Sequence, residues 1–403
     1  MFSNANLDHM QNPIEALELR GERKKILILL AAYNGEKYLS EQIQSIQRQT
    51  ISNWTLFVRD DGSEDHSKDI IEEFVAKDSR IRLVDDKHEG RGAAKNFAAL
   101  MQVALAEGAD AIFFADQDDI WLPHKLSTQL KSLQEMEEQC SPGTPLLCYS
   151  DLELVDQHLH QIHPSFMRYE KLRHEPHNPI HVLLTQNLVT GCSVVINRPL
   201  LELATPIPNG INLHDWWLAI CAAACGRIGF IDQPLVQYRQ HSRNHIGAMT
   251  LDRLVNFSAA RKRLATIRDH MLGPIGQAQV LRERIRGKNI SCSGDSLELL
   301  DDFVSCLGQG VVQRLWTIYR SPLRRQGPWR KLLLFLRLLL MRNAPKVKLT
   351  QHHDPLDAGV LLRMKPKTSG TLSESKPSQV WPGLEARNRR RPVVHARTDE
   401  KGM

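Results

Sequence analysis

The chain has 403 residues, 42% of them apolar and 24% charged, which excludes wholesale disorder, a collagen-like chain and a polytopic membrane protein. The formal charge is +6, but residues 321–403 carry a net +12 and residues 1–320 a net −6, so the basicity belongs to the C-terminal part alone. The seven cysteines are odd in number and form no CxxC pair, so neither a disulfide framework nor a zinc ribbon is expected, and a reducing cytoplasm fits best.

Residues 1–23 lack the basic-then-apolar pattern of a signal peptide and read as an N-terminal extension. Ile26 to Ala32 is a short continuous apolar run, ended by Tyr33-Asn34-Gly35, and predicts a strand buried on both faces. Tyr38 to Gln49 places Leu39, Ile43 and Ile46 at helical spacing. A strand over Trp54–Val58 follows, then a helix over Ser67–Ala76, a strand at Ile81–Val84, a helix over Gly92–Ala106 and a strand at Ala111–Ala115. This alternation predicts an α/β fold with an open, mostly parallel central sheet flanked by helices. Ligands of such sheets bind at the carboxyl ends of the strands.

A second half begins at Leu146–Asp151 and includes the strand Gly191–Ile196, a helix over Leu213–Ala224, and two short strands, Ile228–Asp232 and Leu235–Tyr238, on either side of Gln233-Pro234. Residues 250–320 read as helical with polar faces. Between 328 and 342, Leu332 to Met341 is apolar except for Arg337, about half the ~20 residues that span a bilayer, so a transmembrane helix is rejected. Two readings stay open there: an interfacial helix on anionic lipid, favoured by Trp329 and the flanking Arg and Lys, or a helix buried against the body. From 345 on, Pro, Ser, Thr, Lys and Arg predict a basic disordered tail, and its lack of aromatics beyond Trp381 argues against nucleic acid as a partner. The expected division is 1–23, a catalytic domain at 24–247 (nucleotide-binding half 24–125, acceptor half 126–247), a helical extension at 248–344 and the tail at 345–403.

Three clusters carry chemistry. Asp116-Gln117-Asp118-Asp119 sets three carboxylates in four residues directly after a buried strand, which is costly unless a cation sits among them. Mg²⁺ or Mn²⁺ with a substrate diphosphate would suit those oxygens, although a solvated loop capping the next helix has the same composition. Arg59-Asp60-Asp61-Gly62-Ser63 also follows a strand; its carboxylates can accept from a base N–H or a ribose hydroxyl, yet alone it reads as a turn. In His214-Asp215-Trp216-Trp217, a carboxylate beside two indoles suits a general base near a stacked sugar, or an N-cap before core tryptophans.

Taken together, Ala32-Tyr33-Asn34-Gly35, Asp60-Asp61-Gly62-Ser63, Asp116-Gln117-Asp118-Asp119-Ile120-Trp121, His214-Asp215-Trp216-Trp217 and Tyr238-Arg239-Gln240-His241 occur in the order seen in family 2 glycosyltransferases with the GT-A fold. The resemblance covers about residues 25–247 and is most similar to bacterial rhamnosyltransferase-like enzymes of cell-surface polysaccharide synthesis. It implies an inverting, metal-dependent enzyme that moves a sugar, with L-rhamnose as the favoured choice, from a nucleotide-diphosphate donor to a saccharide or lipid-linked saccharide at the cytoplasmic face of the inner membrane. By resemblance, Ala32, Tyr33, Asn34, Asp60, Asp61, Lys95, Asn96 and Asp116 bind the nucleotide. Asp118 and Asp119, with His241, hold Mg²⁺ or Mn²⁺, and Arg239 and His241 approach the donor diphosphate. Asp215 is the catalytic base, and Trp216 and Trp217 meet the acceptor. One departure is His241-Ser242-Arg243-Asn244, where relatives often carry His-Gly-Asn-Asn. A catalytically inactive nucleotide-sugar-binding or scaffold protein of the same fold is the alternative. Peripheral membrane contact through 324–342 is expected in either case.

Overall fold

A computed structural model of the chain describes residues 24–85, 92–208, 210, 211, 213–241, 272–288, 290–292 and 294–340. The N-terminal extension, the loop after His241 and the basic tail expected at 345–403 lie outside the described residues.

The first strand, β1 (Ile26–Ala32), is apolar throughout because both of its faces are covered. Leu27 and Leu29 belong to one apolar cluster, while Ile28 and Leu30 belong to a second cluster on the other face. Each such side chain contributes roughly 1.5–3 kcal/mol on burial. Helix α1 (Leu39–Gln47) buries Leu39, Ile43 and Ile46 on the second face. Next come β2 (Thr55–Asp60), α2 (Ser67–Lys77), β3 (Ile81–Leu83), α3 (Ala93–Ala106) and β4 (Ala111–Asp116). Helix α3 covers the first face with Phe97, Leu100 and Met101.

The second half comprises β5 (Ile120–Trp121), α4 (Lys125–Glu138), β6 (Leu146–Val155), β7 (Gln161–His163), α5 (Phe166–Tyr169), α6 (Ile180–Leu183), β8 (Val194–Asn197), α7 (Arg198–Ala204), α8 (His214–Cys225) and β9 (Arg227–Arg239). The nine-stranded sheet runs β3-β2-β1-β4-β8-β6-β9-β5, with β7 on β6. Pairings β3–β2, β2–β1, β1–β4 and β6–β9 are parallel, and those of β8, β5 and β7 antiparallel. Only β5, β7 and β8 therefore oppose the common direction, and the sheet is mostly parallel as expected.

Three details differ from the sequence reading. The two strands expected around Gln233-Pro234 are one, β9, which stays paired to β6 across a register shift from Ser150↔Ile231 to Asp151↔Pro234. A bulge accommodates a proline because no ladder bond is required of it there. Gly191–Ser193 forms a 3₁₀ turn, and its strand begins only at Val194. Helix α4 was not anticipated, although Leu126, Leu130, Leu133 and Met136 carry helical spacing and are all buried.

Four helices follow: α9 (Leu272–Lys288), α10 (Gly294–Ser305), α11 (Val311–Arg320) and α12 (Pro328–Leu340). Their buried faces, including Ile275, Leu281, Leu300, Phe303 and Leu338, join the same cluster as Trp217 of α8. Helix α12 buries Leu334, Arg337 and Leu338 along one stripe and exposes Trp329, Leu332, Phe335, Leu336 and Leu339 along the other.

Candidate active site

Parallel register brings the expected motifs together. Ala32 of β1 lies opposite Asp60 of β2, and Ala31 lies opposite Asp116 of β4. The two acidic clusters thus flank the end of β1. The Gln117 side chain clamps the loop after β1, accepting from Tyr33 N–H at 2.7 Å and donating to Tyr33 C=O at 2.9 Å. Asn34 adopts a left-handed φ of 48°. Its N–H donates to Ser63 Oγ at 2.8 Å, and its Oδ1 accepts from Glu64 N–H at 2.9 Å. Asn tolerates that conformation better than most residues, which lets the chain leave β1 sharply.

The predicted nucleotide contacts divide into an exposed and a buried set. Tyr33 and Lys95 are exposed. The Asp60 carboxylate accepts from Ser63 N–H at 3.0 Å and Gly62 N–H at 3.2 Å, holding a turn in which Gly62 has φ 82°. Asp61 is buried, paired with Arg59 at 3.2 Å, and accepts from Gly92 N–H at 2.6 Å at the entry to α3. Asn96 is also buried, with Nδ2 donating to Arg59 C=O at 3.2 Å and Ala32 C=O at 3.4 Å. Asp61 and Asn96 therefore fix the strand ends from within.

The four-residue acidic motif separates by depth. Asp116 and Asp118 are partly exposed, whereas Asp119 is buried. Burial, then the charges of Asp118 and Asp215, push the Asp116 carboxyl up to about 7. Burial followed by repulsion from Asp118 and Asp116 holds Asp119 well above the usual carboxylate range. Asp119 Oδ1 accepts from Arg239 N–H at 3.1 Å, and Oδ2 is buried without a hydrogen-bond partner among the described residues. Asp118 Oδ2 lies 2.9 Å from His241 Nε2, and Tyr38 stacks on the His241 ring at 5.1 Å. Behind them the buried Lys125, bonded to Gln129, is lowered by burial to about 7 and stands within electrostatic reach of Asp119.

Asp215 occupies the first turn of α8 and is partly exposed. Its Oδ2 accepts from Gly191 N–H at 3.1 Å and its Oδ1 from Trp216 N–H at 2.6 Å. Burial pushes this carboxyl up to about 6, opposed by those N–H donors and by the Asn187 side chain. Gly191 is required: a Cβ there would meet His214 Nε2 at 2.8 Å and Cε1 at 2.9 Å. The His214 ring stacks on Phe97 at 3.8 Å and is pushed down to about 3 by burial, so it is a neutral wedge between α8 and α3.

Three expected contacts are corrected by burial. Trp217 lies wholly within the core, its indole N–H donating to Ala204 C=O at 2.8 Å, and Trp216 is buried with its N–H on Leu183 C=O at 2.6 Å. Neither ring offers an open face for an acceptor sugar. Arg239 is 2% exposed. Its guanidinium donates to Asp118 C=O at 2.8 Å, Gln157 C=O at 3.0 Å and Glu41 at 2.5 Å, and lies over the Tyr38 ring at 4.3 Å. It braces the acidic motif instead of reaching toward a diphosphate.

Carboxylates outnumber cations here, and one buried oxygen has no hydrogen-bond partner among the described residues. Such a site fits a divalent cation, with Asp118 and His241 at the partly exposed rim and Asp119 behind them. Asp116, Asp119 and Cys192 also gather ligand atoms within 4.8 Å of one another. Cys192, Gly191 and Asn187 escaped the sequence reading. Gly191 and Cys192 stood inside an expected strand, and nothing in the chain marked Asn187.

Residues 27–195 match the sequence pattern of Glycosyl transferase family 2. The dTDP-rhamnosyl transferase RfbG of Shigella flexneri is 31% identical over 251 residues, 60% of this chain and 79% of that protein. The chain belongs to family 2 of the glycosyltransferases. Another relative of this family 2 enzyme is the UDP-Glc:alpha-D-GlcNAc-diphosphoundecaprenol beta-1,3-glucosyltransferase WfgD of Escherichia coli, 31% identical over 194 residues, 47% of this chain and 68% of that protein. Among solved structures, TarS of S. aureus aligns at 13% identity and a TM-score of 0.45 over 70% of this chain and 43% of that one. The mannosyltransferase PcManGT of Pyrobaculum calidifontis aligns at 15% identity and a TM-score of 0.42 over 80% of this chain and 87% of that one. The family pattern ends within β8, so Asp215, Arg239 and His241 lie beyond its match, and their places rest on the geometry above.

Proposed function

We propose that this family 2 glycosyltransferase inverts the anomeric centre of a nucleotide-diphosphate sugar, with dTDP-L-rhamnose the favoured donor, and transfers the sugar to a saccharide or lipid-linked saccharide in surface polysaccharide synthesis. The observation that carries this reading is Asp215, a half-buried carboxyl raised to about 6 and within electrostatic reach of Asp116. At neutral pH it is largely ionised yet still basic enough to accept a proton from an acceptor hydroxyl. The resulting oxygen attacks the anomeric carbon, the bond to the diphosphate breaks, and a single displacement inverts the centre. N–H donation from Gly191 and Trp216 fixes the direction of the carboxylate. Tyr33, Asn34 and Asp60, on loops clamped by Gln117 and Ser63, hold the nucleoside, and Asp116 stands at the ribose. Asp118 and His241 would hold Mg²⁺ or Mn²⁺, which supplies neutralisation of charge developing on the leaving diphosphate.

The names of RfbG and WfgD support the donor and acceptor classes respectively. Among the described residues no helix is long and apolar enough to cross a membrane. Peripheral contact with the cytoplasmic face of the inner membrane through 324–342 is part of the same proposal, supported by the exposed Trp329, Leu332 and Phe335 of α12. Purified full-length protein mixed with dTDP-rhamnose or UDP-glucose, with Mg²⁺, Mn²⁺ or EDTA, should release nucleotide only with metal and fastest from one donor. Binding of donor without turnover on any saccharide or lipid-linked acceptor would favour the inactive scaffold.

A further inference from the structure

Residues 303–340 contain seven Arg and Lys and no Asp or Glu. Two of those arginines have ion-pair partners: Arg324 with Glu175 at 3.8 Å and Arg330 with Glu170 at 3.2 Å. Arg314 is buried and donates to the C=O groups of Cys306, Gln309 and Leu338. Arg325 and Arg337 differ from these. They are 9% and 8% exposed, and the Nε and Nη1 atoms of both are buried without a partner among the described residues. Their charges act on each other, since Arg337 and then Arg330 follow burial as the causes that lower Arg325 to about 10.

The segment that carries Arg325 is stitched to the acceptor side of the domain. Arg324 N–H donates to His181 C=O at 2.9 Å, Thr185 Oγ1 to Arg324 C=O at 2.9 Å, and Gln326 N–H to Gln186 Oε1 at 3.0 Å. Gln186 Nε2 is itself a buried donor without a partner among the described residues, and the next residue, Asn187, acts on Asp215. The orphaned groups of this region are therefore all donors, and two side chains carry full positive charge. Burying unpaired like charges is unfavourable unless an anion completes the arrangement. A guanidinium fork suits a phosphate in particular.

The surface beside this cluster indicates what carries the phosphate. Helices α11 and α12 expose Val312, Trp316, Tyr319, Trp329, Leu332 and Phe335, with Val312, Tyr319 and Trp329 at 80% or more. Aromatic and aliphatic groups among Arg and Lys, without acidic residues, complement an anionic lipid surface. We propose that Arg325 and Arg337 form a binding site for the phosphate or diphosphate group of a membrane lipid, which the exposed faces of α11 and α12 help to admit. The proposal deepens the lipid-linked acceptor reading, yet it is read by binding and needs no turnover.

The test uses full-length protein in EDTA without nucleotide. Inorganic pyrophosphate should raise the melting temperature of the wild type, and Arg325→Gln and Arg337→Gln should each weaken its apparent affinity by about tenfold or more. Flotation with phosphatidylcholine vesicles carrying phosphatidylglycerol or a polyprenyl diphosphate identifies the source. Equal capture by both assigns the site to phospholipid headgroups, and capture only with the polyprenyl diphosphate assigns it to the acceptor carrier. No pyrophosphate effect on the wild type overturns the proposal even if a variant fails to fold. So does an undiminished effect in the folded double variant, which would place the anion in the donor cleft. Equal capture by pure phosphatidylcholine would leave only an apolar contact and also overturn it. Loss of turnover in Asp215→Asn with pyrophosphate binding intact separates this site from the catalytic assignment.

Discussion

The acidic strand ends and the basic helical extension both crowd like charges into partly dry surroundings, but they resolve the crowding differently. At the strand ends, Asp116 and Asp119 shift toward the neutral form, and Lys125, Arg239 and backbone N–H groups surround them. In the extension, Arg325 and Arg337 cannot release a proton near neutral pH, and their buried Nε and Nη1 atoms have no acceptor among the described residues. A carboxylate cluster can relieve itself by protonation, whereas a guanidinium cluster must wait for an anion. The two regions should therefore respond in opposite ways to the same perturbations.

The largest effect is expected at the strand ends. Asp215→Asn keeps the size and part of the hydrogen bonding of the side chain but removes the base, and kcat should fall roughly 10³-fold with little change in donor KM. In the wild type, kcat/KM should rise with pH up to about 6 and then level, because the carboxyl must be ionised to accept the proton. Full turnover by the asparagine variant would remove Asp215 as the base.

The second effect tests whether an arginine with partners differs from one without. Arg239 donates to Glu41 and to the C=O groups of Asp118 and Gln157. Arg239→Met should cost about 2 kcal/mol in urea unfolding, because three partly buried acceptors lose a charged donor. It should also loosen Asp118 and weaken metal-dependent nucleotide binding. A loss below about 1 kcal/mol would show that the brace is dispensable.

The contrast between these regions tracks what was legible in the sequence. Strands such as Ile26–Ala32 announce themselves because both faces are covered and no polar residue interrupts them. The positions of Asp60 and Asp116 followed from parallel register alone. Burial depth was not legible. Asp118 and Asp119 are neighbours in the chain, yet one reaches the rim and the other turns inward onto Arg239. Trp216 and Trp217 looked suited to sugar stacking, but helix α8 turns both into the core, and an aromatic pair carries no mark of which face it will take. Asn187 and Arg325 depend on contacts across long sequence separations, which local patterns do not encode.

The third effect concerns pH. Asp116 and Asp215 have folded values raised to about 7 and about 6 from an ordinary 3.8, so the folded state keeps protons that the unfolded chain has lost. Their contribution is fully present at low pH and is lost as pH rises through those folded values. Those two carboxyls should therefore stabilise the metal-free protein by about 1–2 kcal/mol more at pH 6 than at pH 8, while Lys125, lowered to about 7 by burial, works in the opposite direction and offsets most of that gain. Asp78, held well below the usual carboxylate range by its hydrogen bond from Arg80, stays ionised throughout that window and adds no slope. Asp116→Asn should remove about 1 kcal/mol of stability at pH 6 relative to pH 8 and leave the opposing Lys125 slope uncovered, and an unchanged slope would place its origin elsewhere.

The smallest effect has the opposite sign from most core substitutions. Arg337 sits on the buried stripe of α12 between Leu334 and Leu338, so Met of similar length can follow the same path and fill the same space. What disappears is a desolvated cation with buried donors lacking partners, a state that costs free energy in the absence of an anion. Arg337→Met should accordingly raise stability by about 1 kcal/mol in phosphate-free buffer, in contrast to the loss expected at Arg239. Pyrophosphate should narrow the difference, because it stabilises the wild type and not the variant. If Arg337→Met instead loses stability in phosphate-free buffer, the guanidinium already has its counter-charge within the fold, and the two regions hold their charges by the same means.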